Sequence, residues 1–392
     1  MPQRRPTVER SRDILDRRSG FRLYADWGHV GVLTGGGHIC ELILNRVPGI
    51  NPLWKPPWTT IDPDHYSPQQ SRAYGPPPDG RLLSGIAGHS LSFDHFGPPS
   101  REETAAGLAT HGEAPCARWK VKNDFAAGVA RLHCSCLVRQ AQIRFTRTIS
   151  VNRTSSVLYC EERAENLGVY DLPVSWNEHV TFGPPFLESG TTVFDMPATS
   201  AKTCGPAYSE RIFLEPDAEF VWPDAPRKDG RHSNLRIMPD ETYGHYTAQL
   251  LDPALDIAFI SACNPRLRLL VVYAFRRGDF PWVGNWEERN NRTAPPWRGK
   301  TFCRGMEFST TPFPVPRRDT VDQGPLFGER TYRWLPARST VAVRYTTMLL
   351  MTPEHFAGVS RVSIERGRAL VIEAAPGNRE LKVAADSFLQ RR

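Results

Sequence analysis

Apolar residues in this chain come in short runs that alternate with polar ones, and almost every run ends at a proline or glycine. The 35 prolines and 30 glycines are spread over all 392 residues. That punctuation leaves little room for a helix of more than two or three turns. Period-two alternation with β-branched and aromatic residues predicts strands at Val30 to Leu33, His38 to Leu44, Ala117 to Val121, Gly128 to Val138, Ile143 to Val151, Ser156 to Glu165, Asp171 to Thr181 and Arg211 to Phe213. Later strands are expected at Tyr243 to Leu250, Asp256 to Ala262, Leu267 to Phe275, Thr340 to Met351, Gly358 to Glu365 and Ala369 to Ala374. So many strands with few short helices imply an all-β chain of two large antiparallel sheets packed face to face. The first plausible helix is Arg101 to Gly107, with Ser100 as its cap and Glu103 closing a capping box.

Neither an internal repeat nor a linker divides the chain, so one domain is expected over 19–378, preceded by a charged N-terminal segment (1–18) and followed by a tail (379–392). Two long stretches do not read as strands. Asn45 to Arg81 is proline-rich and carries Trp54, Trp58, Tyr66 and Tyr74, and Asp279 to Lys300 carries Trp282, Trp286 and Trp297 among charged residues. Long loops in a compact chain are usually functional or disordered. Aromatic faces beside polar side chains suit sugars, which offer an apolar C–H face and a rim of hydroxyls; equally, these tryptophans could plug the ends of a sandwich.

Composition narrows the partners. With 40% hydrophobic and 23% charged residues the chain is of globular type, and it has no apolar run of membrane-spanning length. Met1 to Arg18 lacks the apolar stretch of a secretory signal, so a cytoplasmic location is expected. The net charge of +7 comes from scattered arginines interleaved with acids, which does not make a nucleic-acid footprint. Cys134 and Cys136 are too close for a zinc or redox motif and read as core thiols sharing one strand face. A small-molecule partner, with no nucleic acid and no membrane, is therefore expected, for a monomer or homodimer.

Three segments gather polar groups in apolar surroundings: Thr110-His111-Gly112-Glu113, Trp176-Asn177-Glu178-His179-Val180-Thr181-Phe182-Gly183 and Arg304-Gly305-Met306-Glu307-Phe308. Singly, each histidine is better explained by structure than by catalysis. Together with Leu91-Ser92-Phe93-Asp94-His95-Phe96-Gly97-Pro98, Trp119, Asn166-Leu167-Gly168 and Gly35-Gly36-Gly37-His38-Ile39, their order resembles the aldose 1-epimerase (galactose mutarotase-like) superfamily, with nearest motifs in the hexose-6-phosphate epimerases. The resemblance spans roughly residues 28–350. It implies a large antiparallel β-supersandwich and an isomerase that interconverts sugar anomers without metal or cofactor. By the same resemblance Glu307 is the base, His179 the acid on the ring oxygen, and His111 a second donor to that oxygen.

Departures from the family pattern bear on substrate. Where the phosphosugar epimerases carry Phe-Ala-Arg after the His-Gly pair, this chain has Glu113-Ala114-Pro115, and Ser84-Gly85-Ile86-Ala87-Gly88-His89 replaces an upstream arginine segment. The expected substrate is accordingly an unphosphorylated sugar or glycoside. Glu113, Asn177, Arg118, Trp286, Glu287 and Arg304 are the candidate substrate-binding residues, although either arginine would serve equally as a salt-bridge partner. Alternatives are another sugar isomerase, epimerase or lyase on the same fold, a non-catalytic carbohydrate-binding protein, or a metal site of two histidines and a carboxylate.

Overall fold

The computed structural model describes residues 6–209, 211–365, 367–385 and 389. Among the described residues a twelve-stranded sheet faces an eight-stranded one, and a three-stranded sheet closes the C-terminal end. Every paired strand in the two large sheets is antiparallel, as the alternating pattern predicts. The middle of the larger sheet holds five neighbours in the order His89–Asp94, Leu172–Phe182, Phe302–Ser309, Trp282–Arg289 and Tyr243–Leu251. The smaller sheet includes Ile257–Asn264, Leu269–Arg276, Thr340–Met351, Val157–Asn166, Ile143–Asn152 and Val129–Val138.

Alternation decides which side chains enter the space between the sheets. From the larger sheet Phe93, Trp176, Val180, Val283, Met306 and Phe308 point inward and join one core with Phe145, Phe275 and Tyr345 of the smaller sheet. The rings interlock across the gap: Phe93 lies 4.8 Å from Phe145 and Phe308 stacks at 4.4 Å on Phe275. On Val129–Val138 the buried positions include Cys134 and Cys136 together, and all eight cysteines are buried and free. The Arg101–Ala105 helix has the expected capping box, with Glu103 N–H donating to Ser100 Oγ at 3.2 Å.

A second apolar cluster covers the opposite, outer face of the larger sheet. It joins Trp54, Ile86 and Phe96 from loops, and Leu82 and Leu83 from the short helix Asp79–Leu83, to Tyr246, Ala248 and Trp286 from strands. With both faces covered, the central strands are buried along nearly their whole length.

Several sequence expectations need correction. Asp279 to Lys300 is not a loop throughout, because Trp282–Arg289 is a central strand whose charged residues are buried on both faces. His89–Asp94 and Phe302–Ser309 are further strands that the alternation did not reveal. Arg211 to Phe213 is not a strand. The 1–18 segment is not separate from the fold: Thr7–Leu15 is an edge strand paired with Arg18–Ala25, while 1–5 lie outside the described residues. Within the expected tail, Glu380–Ala384 pairs with Arg368–Glu373. No described helix is long and apolar enough to cross a membrane.

Candidate active site

Antiparallel register assembles the site. His179 stands directly opposite Glu307, Glu307 opposite Gly284, and Tyr246 opposite Trp286, so all four side-chain positions that are not glycine share the outer face. A side chain at Gly284 would run into the Tyr246 hydroxyl, and one at Gly305 into Glu307 and Trp286. The two glycines thus let the larger groups lie flat against the sheet. His111 arrives from a loop instead. It has φ 66° and precedes Gly112 at φ 84°, a tight left-handed turn that seats the imidazole over this face.

A cleft of about 710 Å³ opens above these residues, within the ~300–1,000 Å³ usual for small-molecule sites. His111, His179, Glu307, Trp286, Tyr246 and Arg292 line it, together with Asp79, Phe96 and Tyr208. The His179 Nε2 lies 3.2 Å from Glu307 Oε1, and the His111 and His179 ring centroids are 5.3 Å apart. Phe96 stacks on His111 at 5.2 Å, and Trp286 meets His179 edge-on at 5.6 Å.

The electrostatics follow from burial. Loss of water pushes the Glu307 carboxyl up to about 8, against the opposing pull of the Asn177 amide, which donates to Oε2 at 3.3 Å. The same desolvation brings His179 down to about 3, and holds His111 well below its ordinary range with help from His179, His95 and Arg292. Near neutral pH the His179–Glu307 pair therefore holds one proton between Nε2 and the carboxyl, while His111 is neutral. Its tautomer is fixed: the Gly97 N–H donates to His111 Nδ1 at 3.0 Å, which leaves Nε2 as the protonated nitrogen. Two further groups, Trp286 Nε1 and Tyr246 Oη, are buried at the cleft with no hydrogen-bond partner among the described residues. Unpaired buried groups are costly, so they are ready to receive a ligand's hydroxyls.

Not every residue singled out from the sequence belongs here. His111, His179, Glu307 and Trp286 line the cleft, and Asn177 sits beneath it as the partner of Glu307. Glu287 and Arg304 do not reach it. They pair at 3.3 Å on the inner face, where Glu287 also accepts from Tyr243 Oη at 2.5 Å and Arg304 lies 4.1 Å over Phe194. The period-two alternation that sends Trp286 outward sends Glu287 inward. Glu113 is outside the cleft, accepting the Gln140 N–H at 2.9 Å. Arg118 is half exposed and faces Asp62 and Asp64 at 3.8 and 3.7 Å.

Sequence reasoning missed Asp79, Tyr208, Tyr246 and Arg292. Tyr246 was on a predicted strand, and its even spacing from Ala248 and Leu250 could have placed it on one face; Asp79 and Tyr208 sit on single helical turns and Arg292 on a loop, and these three carried no periodic signal. Among the described residues no three His, Cys, Asp or Glu side chains are grouped to hold a metal ion.

No family model and no curated protein matches the chain. Solved structures do. A candidate aldose 1-epimerase from Klebsiella pneumoniae is similar over 86% of this chain and 80% of its own, with a TM-score of 0.62 at 14% identity. A galactose mutarotase-like protein from Clostridium acetobutylicum is similar over 89% of this chain and 99% of its own, with a TM-score of 0.58 at 11% identity. The Slr1438 protein from Synechocystis is similar over 90% and 98%, with a TM-score of 0.53 at 15% identity. The fold is thus the galactose mutarotase-like β-supersandwich that the sequence motifs imply.

Proposed function

We propose that the cleft binds an unphosphorylated sugar and interconverts its anomers by acid/base ring opening, the aldose 1-epimerase reaction. The observation that carries this reading is the 3.2 Å contact of His179 Nε2 with Glu307 Oε1, beside His111, whose Nδ1 accepts the Gly97 N–H and so leaves Nε2–H as a donor. Ring opening needs one group ready to take the proton of the C1 hydroxyl and another ready to give one to the ring oxygen. A pair that holds one proton meets both needs at once. In this reading the pair's proton passes from Glu307 to His179 Nε2, the freed carboxylate of Glu307 takes the hydroxyl proton, His179 protonates the ring oxygen and the C1–O5 bond breaks. Rotation about C1–C2 and the reverse transfers then close the ring on its other face. His111 Nε2–H holds the ring oxygen throughout.

The remaining cleft groups suit a polyol. Asp79 accepts a hydrogen bond from Thr110 Oγ1 and keeps a second carboxylate oxygen for hydroxyls. Trp286 Nε1 and Tyr246 Oη gain partners on binding. The similarity of the fold to a candidate aldose 1-epimerase and to a galactose mutarotase-like protein supports this reading. It is tested by saturation-transfer NMR on a panel of free aldoses and uronates at equilibrium. Exchange between anomer signals that rises with enzyme concentration is expected, and its absence for every sugar, despite binding, would leave only a carbohydrate-binding role.

The charge state predicts a pH profile. Glu307 loses the pair's proton near 8, and without it the pair has no acid for the ring oxygen. The value of kcat/KM should be level between about pH 5 and 7 and decline above about 8. A rate that instead climbs steadily through pH 9, beyond the uncatalysed background, would contradict the shared-proton mechanism.

A further inference from the structure

A second cavity, of about 390 Å³, lies on the far side of Trp297 from the cleft, and Trp297 lines both. Its floor is aromatic. Trp58 donates Nε1–H to the Leu83 carbonyl at 2.9 Å, and Tyr74 donates its hydroxyl to the Thr59 carbonyl at 3.0 Å. With their polar atoms engaged, both side chains have apolar ring surface to offer the groove they line. Trp58 meets Trp297 edge-on at 5.1 Å, which makes one continuous aromatic surface from groove to cleft.

The groove is also positively charged. Arg298 and Lys300 line it, both are exposed, and neither pairs with a carboxylate among the described residues. They are held by a compact loop between the Trp282–Arg289 and Phe302–Ser309 strands. Arg298 N–H bonds to the Ala294 carbonyl, Gly299 N–H to Arg292 and Lys300 N–H to Trp297, at 2.8–3.1 Å. On the cleft side of the same loop Arg292 lies 4.9 Å over the Trp297 ring. One ordered loop therefore carries a tryptophan flanked by cations on both of its sides.

We infer that this groove is a second sugar subsite that takes a pyranose bearing an anionic substituent, carboxylate or sulfate, so that the cleft receives the end unit of an acidic oligosaccharide running over Trp297. The aromatic floor takes the apolar C–H face of the ring, and Arg298 and Lys300 take the anion. At 390 Å³ the groove has room for about one such ring, at the lower end of the ~300–1,000 Å³ typical of ligand pockets. The inference rests on the sugar-binding reading of the cleft but not on its catalytic part.

Isothermal titration calorimetry of the full chain separates these readings. The ligands are trimers of galacturonate, mannuronate and guluronate, a sulfated trisaccharide, maltotriose and the corresponding monosaccharides. At least one acidic trimer is expected to bind about tenfold or more tighter than both maltotriose and its own monosaccharide, the factor that one hydrogen bond to a charged group supplies. Comparison of the uronate and sulfate ligands tells which anion is preferred. The advantage should shrink with added salt, because both cations are exposed. R298E/K300E, or the milder R298Q/K300Q, should remove it while leaving monosaccharide affinity unchanged, which also verifies folding. An acidic trimer that binds no better than the neutral trimer or the monosaccharide, or one whose advantage survives both double variants, overturns the inference. Tight trimer binding without anomer exchange of any sugar would remove the epimerase reading and leave the subsite standing; exchange without trimer preference would do the reverse.

Discussion

Glu307→Gln is expected to slow anomer exchange by about 10²–10⁴-fold while changing sugar affinity little, the loss typical of removing one acid/base group. Gln keeps the shape of the side chain and its contact with the Asn177 amide but can neither accept the hydroxyl proton nor share one with His179 Nε2, 3.2 Å away. The variant should also be more stable than wild type in alkali. Burial raises the native Glu307 carboxyl from 4.5 to about 8, so between those values the folded state binds a proton that the unfolded state has released. Stability contributed by this group is complete below about 4.5 and falls as pH rises through 8, and Gln removes that dependence. Saturation-transfer NMR, calorimetric binding and thermal unfolding at pH 6 and pH 9 check the three parts. Unchanged exchange would remove Glu307 from the mechanism; lost exchange together with lost binding would assign it to substrate recognition instead.

Strands were legible where one face meets the core and the other meets water. Val129–Val138 alternates buried and less buried residues along its length, and its limits were read almost to the residue. His89–Asp94, Trp282–Arg289 and Phe302–Ser309 are buried on both faces, one against the opposing sheet and the other under the Trp54 and Trp286 cluster. Their polar residues then read as solvent-facing although they are buried, which is why Trp282–Arg289 looked like a loop and Glu287 and Arg304 like ligands of a sugar. His111, His179 and Glu307 were reached through the order of family motifs, not through periodicity. Nothing local could have brought them together, since the contact depends on the pairing of strands more than a hundred residues apart. Arg292 was invisible for a related reason: its position over Trp297 and Trp286 is set by the folded loop, not by a pattern in the residues around it.

The largest stability effect is expected from Arg147→Met, which should destabilise the chain by about 3–5 kcal/mol because it strands charge in the core. Arg147 rises from Ile143–Asn152 into the space between the sheets with no exposure to solvent. Its Nε donates to Glu162, one terminal nitrogen donates to Glu178 at 3.0 Å and the other to the Gly37 carbonyl at 3.1 Å. Trp176 Nε1 bridges both carboxyls at 3.0 and 3.2 Å, and His89 Nε2 meets Glu178 at 2.7 Å. Glu178 lies between Asn177 and His179, so this cluster anchors from behind the strand that carries His179. Burial already lifts Glu162 to about 8 against the pull of Arg147, so the guanidinium is the chief counterweight to two buried acids. Without its pull Glu162 must stay protonated to higher pH, and the loss should deepen as pH rises. Arg147→Met combined with Glu162→Gln should recover part of the deficit, and replacing Arg147, Glu162 and Glu178 together by apolar residues should cost less than the single change, because no charge is left unpaired. Urea unfolding at pH 6 and pH 8 measures the series. A single variant that unfolds at the wild-type midpoint, or a triple variant that is the least stable of all, would mean that charge compensation by Arg147 is not what secures this part of the core.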